Sequence, residues 1–379
     1  MINISNKPWP LMVSQFSFLD KLKIAKFVLT NDRWTQGQQI EQLEYKLAKL
    51  TKHSYTTITS SGSTANTIYA SYIKDCTPIR KAIFPSTTWQ TAISPFIREG
   101  IQPIFVDINL DNFGLDLDKV EQLLKHDQTI GLICVTALLG YIPDLQRLRQ
   151  IKTKYNVEIF IDACEATLSM FEIPFEFTAS TSMYFGHMIT SIEGGALFTN
   201  NEDIYNYALM ARNHGMCRSL PSSSRIHYNN AEVDPQFDFA VLGNNYRNTD
   251  LNAFIGQLDL NRAQVYTSHR IAIYNYYTSK LDKDKFVMPR LIRGSVPFCL
   301  PIIYKQLTNL RNKLDKEGIE YRPIISGNLL RQTCYKEYGD YNDYPNSELL
   351  HQSGIYVGLH NKVTKDMIDK LFSLLSRNL

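Results

Sequence analysis

The run Tyr55-Thr56-Thr57-Ile58-Thr59-Ser60-Ser61-Gly62-Ser63-Thr64-Ala65-Asn66 reads as a strand that breaks into a turn of small residues and opens a helix reaching Ile73. Downstream, short apolar strands alternate with helical stretches. Strands are expected over Lys81 to Phe84, Pro103 to Asp107, Gly131 to Ala137, Val157 to Asp162 and Ala196 to Thr199, with helices over Leu117 to Leu124, Ile142 to Tyr155 and Asn201 to Asn213. Such alternation predicts an α/β fold with a mostly parallel sheet. Ligands in these folds gather at the carboxyl ends of strands. Upstream, Leu19 to Asn31 and Gln39 to Leu50 carry helical periodicity. Helix is expected again over Leu251 to His269, and a long helix from about Ile271 leads into a smaller region. There, Phe298 to Ile303 and Ile319 to Arg322 are strand-like and Thr364 to Ser376 closes the chain as a helix. Gly215 to Gly243 is the longest irregular stretch, and a loop of that length is usually functional or mobile.

The bulk composition bounds the function. The 379 residues suffice for one large core and a smaller second domain, and 44% hydrophobic with 20% charged residues is ordinary for a globular protein. A net charge of +3 without basic blocks argues against a nucleic-acid partner. The six cysteines, Cys76, Cys134, Cys164, Cys217, Cys299 and Cys334, show neither zinc spacing nor a disulfide framework. Met1 to Pro8 lacks the basic and apolar regions of a signal peptide, and no apolar run reaches membrane-spanning length. A soluble, cytoplasmic protein is expected.

Several residues carry chemistry, each with a plainer alternative. Ser61, Gly62 and Ser63 present N–H groups and hydroxyls at a helix start, which suits an anion; the same residues suit simple capping. Asp162, in Phe160-Ile161-Asp162-Ala163-Cys164-Glu165, follows a buried strand. It is placed to pair with a protonated ring nitrogen or to cap the next helix. Trp89 suits stacking on a planar group or a place in the core. His187 and His214 suit proton transfer or structural roles. Asn245 and Arg247, in Gly243-Asn244-Asn245-Tyr246-Arg247, offer polar donors at a turn, and Arg322 stands at a strand end.

Taken together and in order, these segments resemble the DegT/DnrJ/EryC1/StrS family of pyridoxal-phosphate (PLP) enzymes acting on nucleotide-linked sugars. The resemblance spans nearly the whole chain, from Thr35-Gln36-Gly37 through the Ser-Gly-Ser turn, Phe105-Val106-Asp107, Asp162-Ala163, Glu193-Gly194-Gly195, Arg212-Asn213-His214-Gly215 and Asn244-Asn245-Tyr246-Arg247 to Arg322-Pro323-Ile324-Ile325-Ser326-Gly327-Asn328 and Val357-Gly358-Leu359-His360. Met188 and Asn244 depart from the pattern. The resemblance implies the aminotransferase type I fold. Residues 1–260 would form a large cofactor-binding domain around a mostly parallel seven-stranded sheet, and residues 261–379 a small C-terminal α/β domain. It implies that Ser61, Gly62, Ser63 and Ser182 hold the cofactor phosphate, that Trp89 stacks on the ring, that Asp162 pairs with the ring nitrogen, and that Glu165 lies beside the ring hydroxyl. Asn245 and Arg247 would reach across a homodimer to the neighbouring site, and His214, Arg322 and Asn328 would meet substrate.

The decisive departure is His187, in Tyr184-Phe185-Gly186-His187-Met188-Ile189, which stands where the family's cofactor lysine is expected. A histidine moves protons but holds no stable Schiff base, so ordinary transamination is disfavoured. The resemblance then implies the deoxygenating branch. Such an enzyme uses L-glutamate to convert PLP to pyridoxamine phosphate (PMP) and removes the C3 hydroxyl of a 4-keto-6-deoxy sugar, with His187 as acid/base and a GDP-linked sugar favoured by the Arg322 to Asn328 segment. Iron–sulfur relatives need a cysteine cluster after Arg212-Asn213-His214-Gly215. Only Cys217 lies between Cys164 and Cys299, so no iron–sulfur cluster is expected. The rivals are a sugar aminotransferase, which lacks its lysine here, and an inactive ligand-binding relative, against which the retained Asp162, Trp89 and phosphate turn argue.

Overall fold

The computed structural model of the chain describes residues 7–173, 175–225, 230, 232–282, 284–287, 289–304 and 307–376. The expectation for Met1 to Asn6, and part of that for the loop 215–243, lies outside these residues. Seven strands form the main sheet: β1 (Tyr55–Thr59), β2 (Lys81–Pro85), β3 (Gln102–Val106), β4 (Leu132–Thr136), β5 (Glu158–Asp162), β6 (Thr178–Ser182) and β7 (Gly195–Thr199). Their order is β1-β7-β6-β5-β4-β2-β3. The strands from β6 to β3 pair in parallel, and β7 is antiparallel to both neighbours. The ends of β1 and β6 and the start of β7 therefore meet at one edge, where Thr59 and Ser182 both face Gly195.

Both faces of the sheet are covered, and the side chains alternate between them as strand geometry requires. Ile83, Ile133, Val135, Ile159, Ile161 and Phe198 join the core under the helices Gln38–Thr51 and Leu145–Tyr155. Their neighbours Phe84, Leu132, Cys134, Phe160 and Leu197 join the opposite core, with Ile68 and Tyr69 of the helix Gly62–Cys76. Strand β6 escapes a hydropathy reading because it is Thr-Ala-Ser-Thr-Ser. Its hydroxyls are satisfied by a neighbouring strand and by the helices that cover the sheet. Thr178 bonds Thr199 at 3.0 Å, Ser180 donates to Asn66 at 2.6 Å, and Thr181 bonds Thr167.

The expected helix from Leu251 to His269 is two helices, Asp250–Leu260 and Ala263–Lys280, broken at Asn261 and Arg262. The Arg262 guanidinium turns to the buried carboxylates of Asp20 and Asp259 and pins the corner. Beyond it, β8 (Cys299–Ile303), β9 (Tyr321–Pro323) and β10 (Gly354–Gly358) form an antiparallel sheet in the order β8-β10-β9. Its core takes in Trp9. The Trp9 indole N–H donates to the Gly358 carbonyl at 2.9 Å, and its backbone bridges to Ile319. The N-terminal segment thus packs with the C-terminal unit. Tryptophan burial and its one donor decide this, and neither has a local signal.

The helix Gln38–Thr51 starts without a side-chain cap of its own. Asp250, 1% exposed, supplies the missing acceptor from another helix, taking N–H bonds from Gly37 (2.7 Å), Gln39 (2.8 Å) and Ile40 (3.2 Å). Asp250→Ala strands these donors in a buried site. Its unfolding free energy, read from denaturant titration, is expected to fall by roughly 3 kcal/mol; a loss under about 0.5 kcal/mol contradicts this capping role.

Candidate active site

One cleft of about 520 Å³ opens at the shared sheet edge, between the seven-stranded sheet and the C-terminal unit. The turn after β1 forms one wall. Ser61 is the cap of the helix Gly62–Cys76, its hydroxyl taking the Thr64 N–H at 3.1 Å. Capping and anion binding coincide here, since the first-turn N–H groups of Gly62 and Ser63 have no intrahelical partner and carry the positive end of the helix dipole. Space is tight. A Cβ on Gly62 would stand 2.6 Å from the Cys164 Sγ, and one on Gly195 would stand 2.2 Å from the Ser61 carbonyl carbon. Both glycines keep the turn pressed against the ends of β6 and β7.

Asp162 ends β5 and lines the cleft. Its carboxylate is fixed by the Asn66 amide at 2.9 Å and the Cys164 N–H at 3.0 Å, and Asn66 in turn accepts from Ser180 at 2.6 Å. Asn66 is thus a positioning residue within the sequence motif, visible only once the helix is laid on the sheet. Ser182 ends β6, and Trp89 stands over the cleft with 60% of its surface open. Glu165 accepts the Leu139 N–H at 2.8 Å. Burial foremost pushes its carboxyl up to about 7; the Leu139 N–H opposes this and the charge of Asp162 adds to it.

His187 also lines the cleft, between β6 and β7. Its ring meets Tyr184 at 5.8 Å and Phe298 at 5.6 Å, both edge-on. Nδ1 is buried without a hydrogen-bond partner. Burial holds the imidazole down at about 4, against the pull of the Ser182 and Cys164 carbonyls, and Arg270 lowers it further. At neutral pH the ring is uncharged and ready to accept a proton. Beside it, Met188 is fully buried in the sheet core.

The remaining candidates divide. Arg322 lines the cleft. His214, Asn245 and Arg247 do not line it within one chain. They sit on two loops tied together, Asn213 bridging to Asn245 and the His214 N–H donating to the Asn244 carbonyl at 2.9 Å. These loops abut the turn after β1, because the Ser60 N–H donates to the Tyr246 carbonyl at 2.8 Å. Asn328 is a correction. It is 0% exposed and outside the cleft, where its amide bonds the Tyr341 carbonyl (3.0 Å) and its oxygen takes the Leu330 N–H (3.1 Å). Its polar atoms serve a local turn, so none is free for substrate. Sequence reasoning missed Arg270, Phe298 and Tyr356, which line the cleft from the C-terminal unit with no motif to mark them.

The family model of the DegT/DnrJ/EryC1/StrS aminotransferases matches residues 20–376. The chain belongs to this family. It is 28% identical over 387 aligned residues to the GDP-4-keto-6-deoxy-D-mannose 3-dehydratase of Escherichia coli O55:H7, covering 97% of this chain and 99% of that one. The structure of an E. coli GDP-4-keto-6-deoxy-D-mannose 3-dehydratase with bound hydrated PLP superposes with a TM-score of 0.89 at 26% identity, over 97% of this chain and 99% of the other. A GDP-4-keto-6-deoxymannose 3-dehydratase with a trapped PLP-glutamate geminal diamine also superposes at 0.89, at 26% identity, over 97% of this chain and all of that one. The type I aminotransferase fold expected from the sequence is therefore the fold observed, with its seven-stranded, mostly parallel sheet.

The cleft fits the family's cofactor. The helix-start N–H groups of Gly62 and Ser63 would face a phosphate, Trp89 offers an open aromatic face, and Asp162 is a fixed carboxylate. The raised carboxyl of Glu165 has a measurable consequence. Its folded value of about 7 exceeds its ordinary 4.5, so its contribution to stability is complete below about pH 4.5 and is lost as pH rises through 7. Relative to Glu165→Gln, the wild-type chain should lose stability across that window. Parallel thermal midpoints of the two proteins from pH 4.5 to 7.5 would show the neighbourhood of Glu165 to be wetter than described here.

Proposed function

We propose that this chain is a PLP/PMP-dependent 3-dehydratase of a nucleotide-linked 4-keto-6-deoxy sugar, acting on GDP-4-keto-6-deoxy-D-mannose in deoxysugar biosynthesis. One observation carries the reading: inside a cleft suited to the cofactor, the position expected to hold an amine holds a neutral histidine, whose Nδ1 has no hydrogen-bond partner among the described residues. The full-length likeness to the E. coli dehydratase supports the substrate class.

Bound here, the cofactor supplies an electron sink and, once aminated by L-glutamate, the nitrogen that joins the sugar's keto carbon. The chain's own residues do the rest. The Gly62 and Ser63 N–H groups, with the Ser61 and Ser182 hydroxyls, bind the phosphate. Trp89 stacks on the ring, Asp162 keeps its nitrogen protonated, and Glu165 lies beside its hydroxyl. Because no lysine tethers the cofactor, these contacts alone retain it. His187 would serve as the acid/base of the site, accepting a proton as a neutral ring and returning one to the departing C3 hydroxyl, which would leave as water. With no lysine to displace the product, elimination outruns amino transfer. Hydrolysis then yields the 3-deoxy-4-keto sugar and ammonia. Arg322 meets substrate at the C-terminal wall.

His214, Asn245 and Arg247 are assigned to the neighbouring cleft of a cytoplasmic homodimer. Exposed apolar side chains on the helix Phe18–Thr30 (Phe18, Leu19, Leu29) and at Phe237, Phe239 and Leu242 support such an interface.

The test is incubation with PLP, glutamate and GDP-4-keto-6-deoxymannose. Mass spectrometry is expected to show a sugar that has lost one hydroxyl oxygen, whereas an amino sugar would make the chain a transaminase. His187→Asn should abolish dehydration, with residual activity below about 0.1% of wild type, while PLP is still retained. Full activity in that variant removes the histidine from the mechanism. His187→Lys should attach PLP covalently, adding its mass to the chain after borohydride reduction.

A further inference from the structure

Arg270 is the one charged group of the cleft that the proposed chemistry leaves unused among those buried in its C-terminal wall. It lies on the helix Ala263–Lys280 and is 5% exposed, yet it lines the cleft with His187. Its Nη1 donates to the carbonyls of Pro297 (3.1 Å) and Phe298 (2.7 Å). Among the described residues, no carboxylate forms an ion pair with it, and no hydrogen bond engages Nε or Nη2. Asp259, whose charge does reach it, is already spent on the Thr190 N–H, the Tyr266 hydroxyl and Arg262. Burial lowers the guanidinium only to about 10, so it is charged at neutral pH. A buried cation without a counter-ion is costly, and one facing a cleft is a receptor awaiting an anion.

The position of Arg270 narrows the anion. The Phe298 residue whose carbonyl it holds is the residue whose ring packs edge-on against His187. The guanidinium therefore stands beside the proton-transfer position. A cofactor phosphate is served elsewhere, at the Gly62–Cys76 helix start. The reacting carbons of a hexose are uncharged, and a nucleotide's diphosphate lies a sugar ring away from its keto carbon. The α-carboxylate of an amino acid, by contrast, is attached to the same carbon as the reacting nitrogen. We infer that Arg270 is the carboxylate receptor for the amino donor, pairing with the α-carboxylate of glutamate through Nε and Nη2. Arg322, on the exposed side of the same wall, is left for the larger substrate.

This inference rests on the amino-donor half of the proposed function. Its test uses the full-length holoenzyme and the variants Arg270→Gln and Arg270→Lys. Three quantities are measured: the glutamate KM for conversion of PLP to PMP, the sugar-nucleotide KM on PMP-loaded protein, and calorimetric binding of glutarate, a dicarboxylate without an amine. Loss of a charge-assisted pair should raise the glutamate KM of Arg270→Gln roughly 10- to 100-fold. That rise should exceed the change in sugar-nucleotide KM at least about tenfold, and glutarate binding should be lost, with Arg270→Lys intermediate. Equal rises in both KM values, or a glutamate KM unchanged in both variants, overturn the assignment and leave Arg270 as a clamp on Pro297 and Phe298. If Arg270→Gln fails to fold, the lysine variant decides by the same ratio. A wild-type chain that binds glutarate through Arg270 but forms no PMP from glutamate would refute the dehydratase reading and spare the carboxylate site. A wild-type chain that binds neither glutamate nor glutarate overturns the site itself.

Discussion

The backbone of Gly195 lies so close to Ser61 that a methyl group would stand 2.2 Å from its carbonyl carbon, and the cleft is organised around that contact. It joins the turn after β1 to the start of β7 and, through the Ser182–Gly195 pairing, to the end of β6. Without it, the free N–H groups of the helix Gly62–Cys76 would not face the same space as Asp162 and His187. The contact requires that β7 run against its neighbours, because only then does its first residue meet the last residues of β1 and β6. A reversed strand in a parallel sheet is thus a device for bringing three chain segments to one point.

Around this point the protein buries polar groups in fixed pairs. Ser180 holds Asn66 and Asn66 holds Asp162, so the carboxylate arrives with its orientation set before any ligand binds. His187 is treated in the opposite way. Its Nδ1 is buried with no partner, and the surroundings favour its neutral form. One group is held in place by its hydrogen bonds and the other is kept uncharged by its burial.

The strands of the main sheet that carry Ile, Val, Leu and Phe were readable to within a residue or two, because alternation between two cores writes itself into hydropathy. Strand β6 was not readable, since its buried hydroxyls look like a loop until Asn66, Thr167 and Thr199 are placed against them. The break at Asn261 and Arg262 was invisible for a similar reason: it is set by Asp20, 242 residues away. The amide of Asn328 bonds a turn that includes Tyr341, a pairing that its motif does not record.

The sequence by itself determined the α/β class, the small-residue turn that opens a helix, the carboxylate after β5 and the histidine in place of a lysine. Each of these is a local pattern, or the absence of one residue type, and survives without knowledge of neighbours. Only the tertiary structure decided that His187 is neutral, that Asp162 is pre-oriented by Asn66, that Trp9 belongs with the last sheet, and that Arg270 faces the cleft without a counter-ion among the described residues. These are properties of burial and of long-range pairing. They depend on which groups are removed from water together, and no spacing along the chain records that.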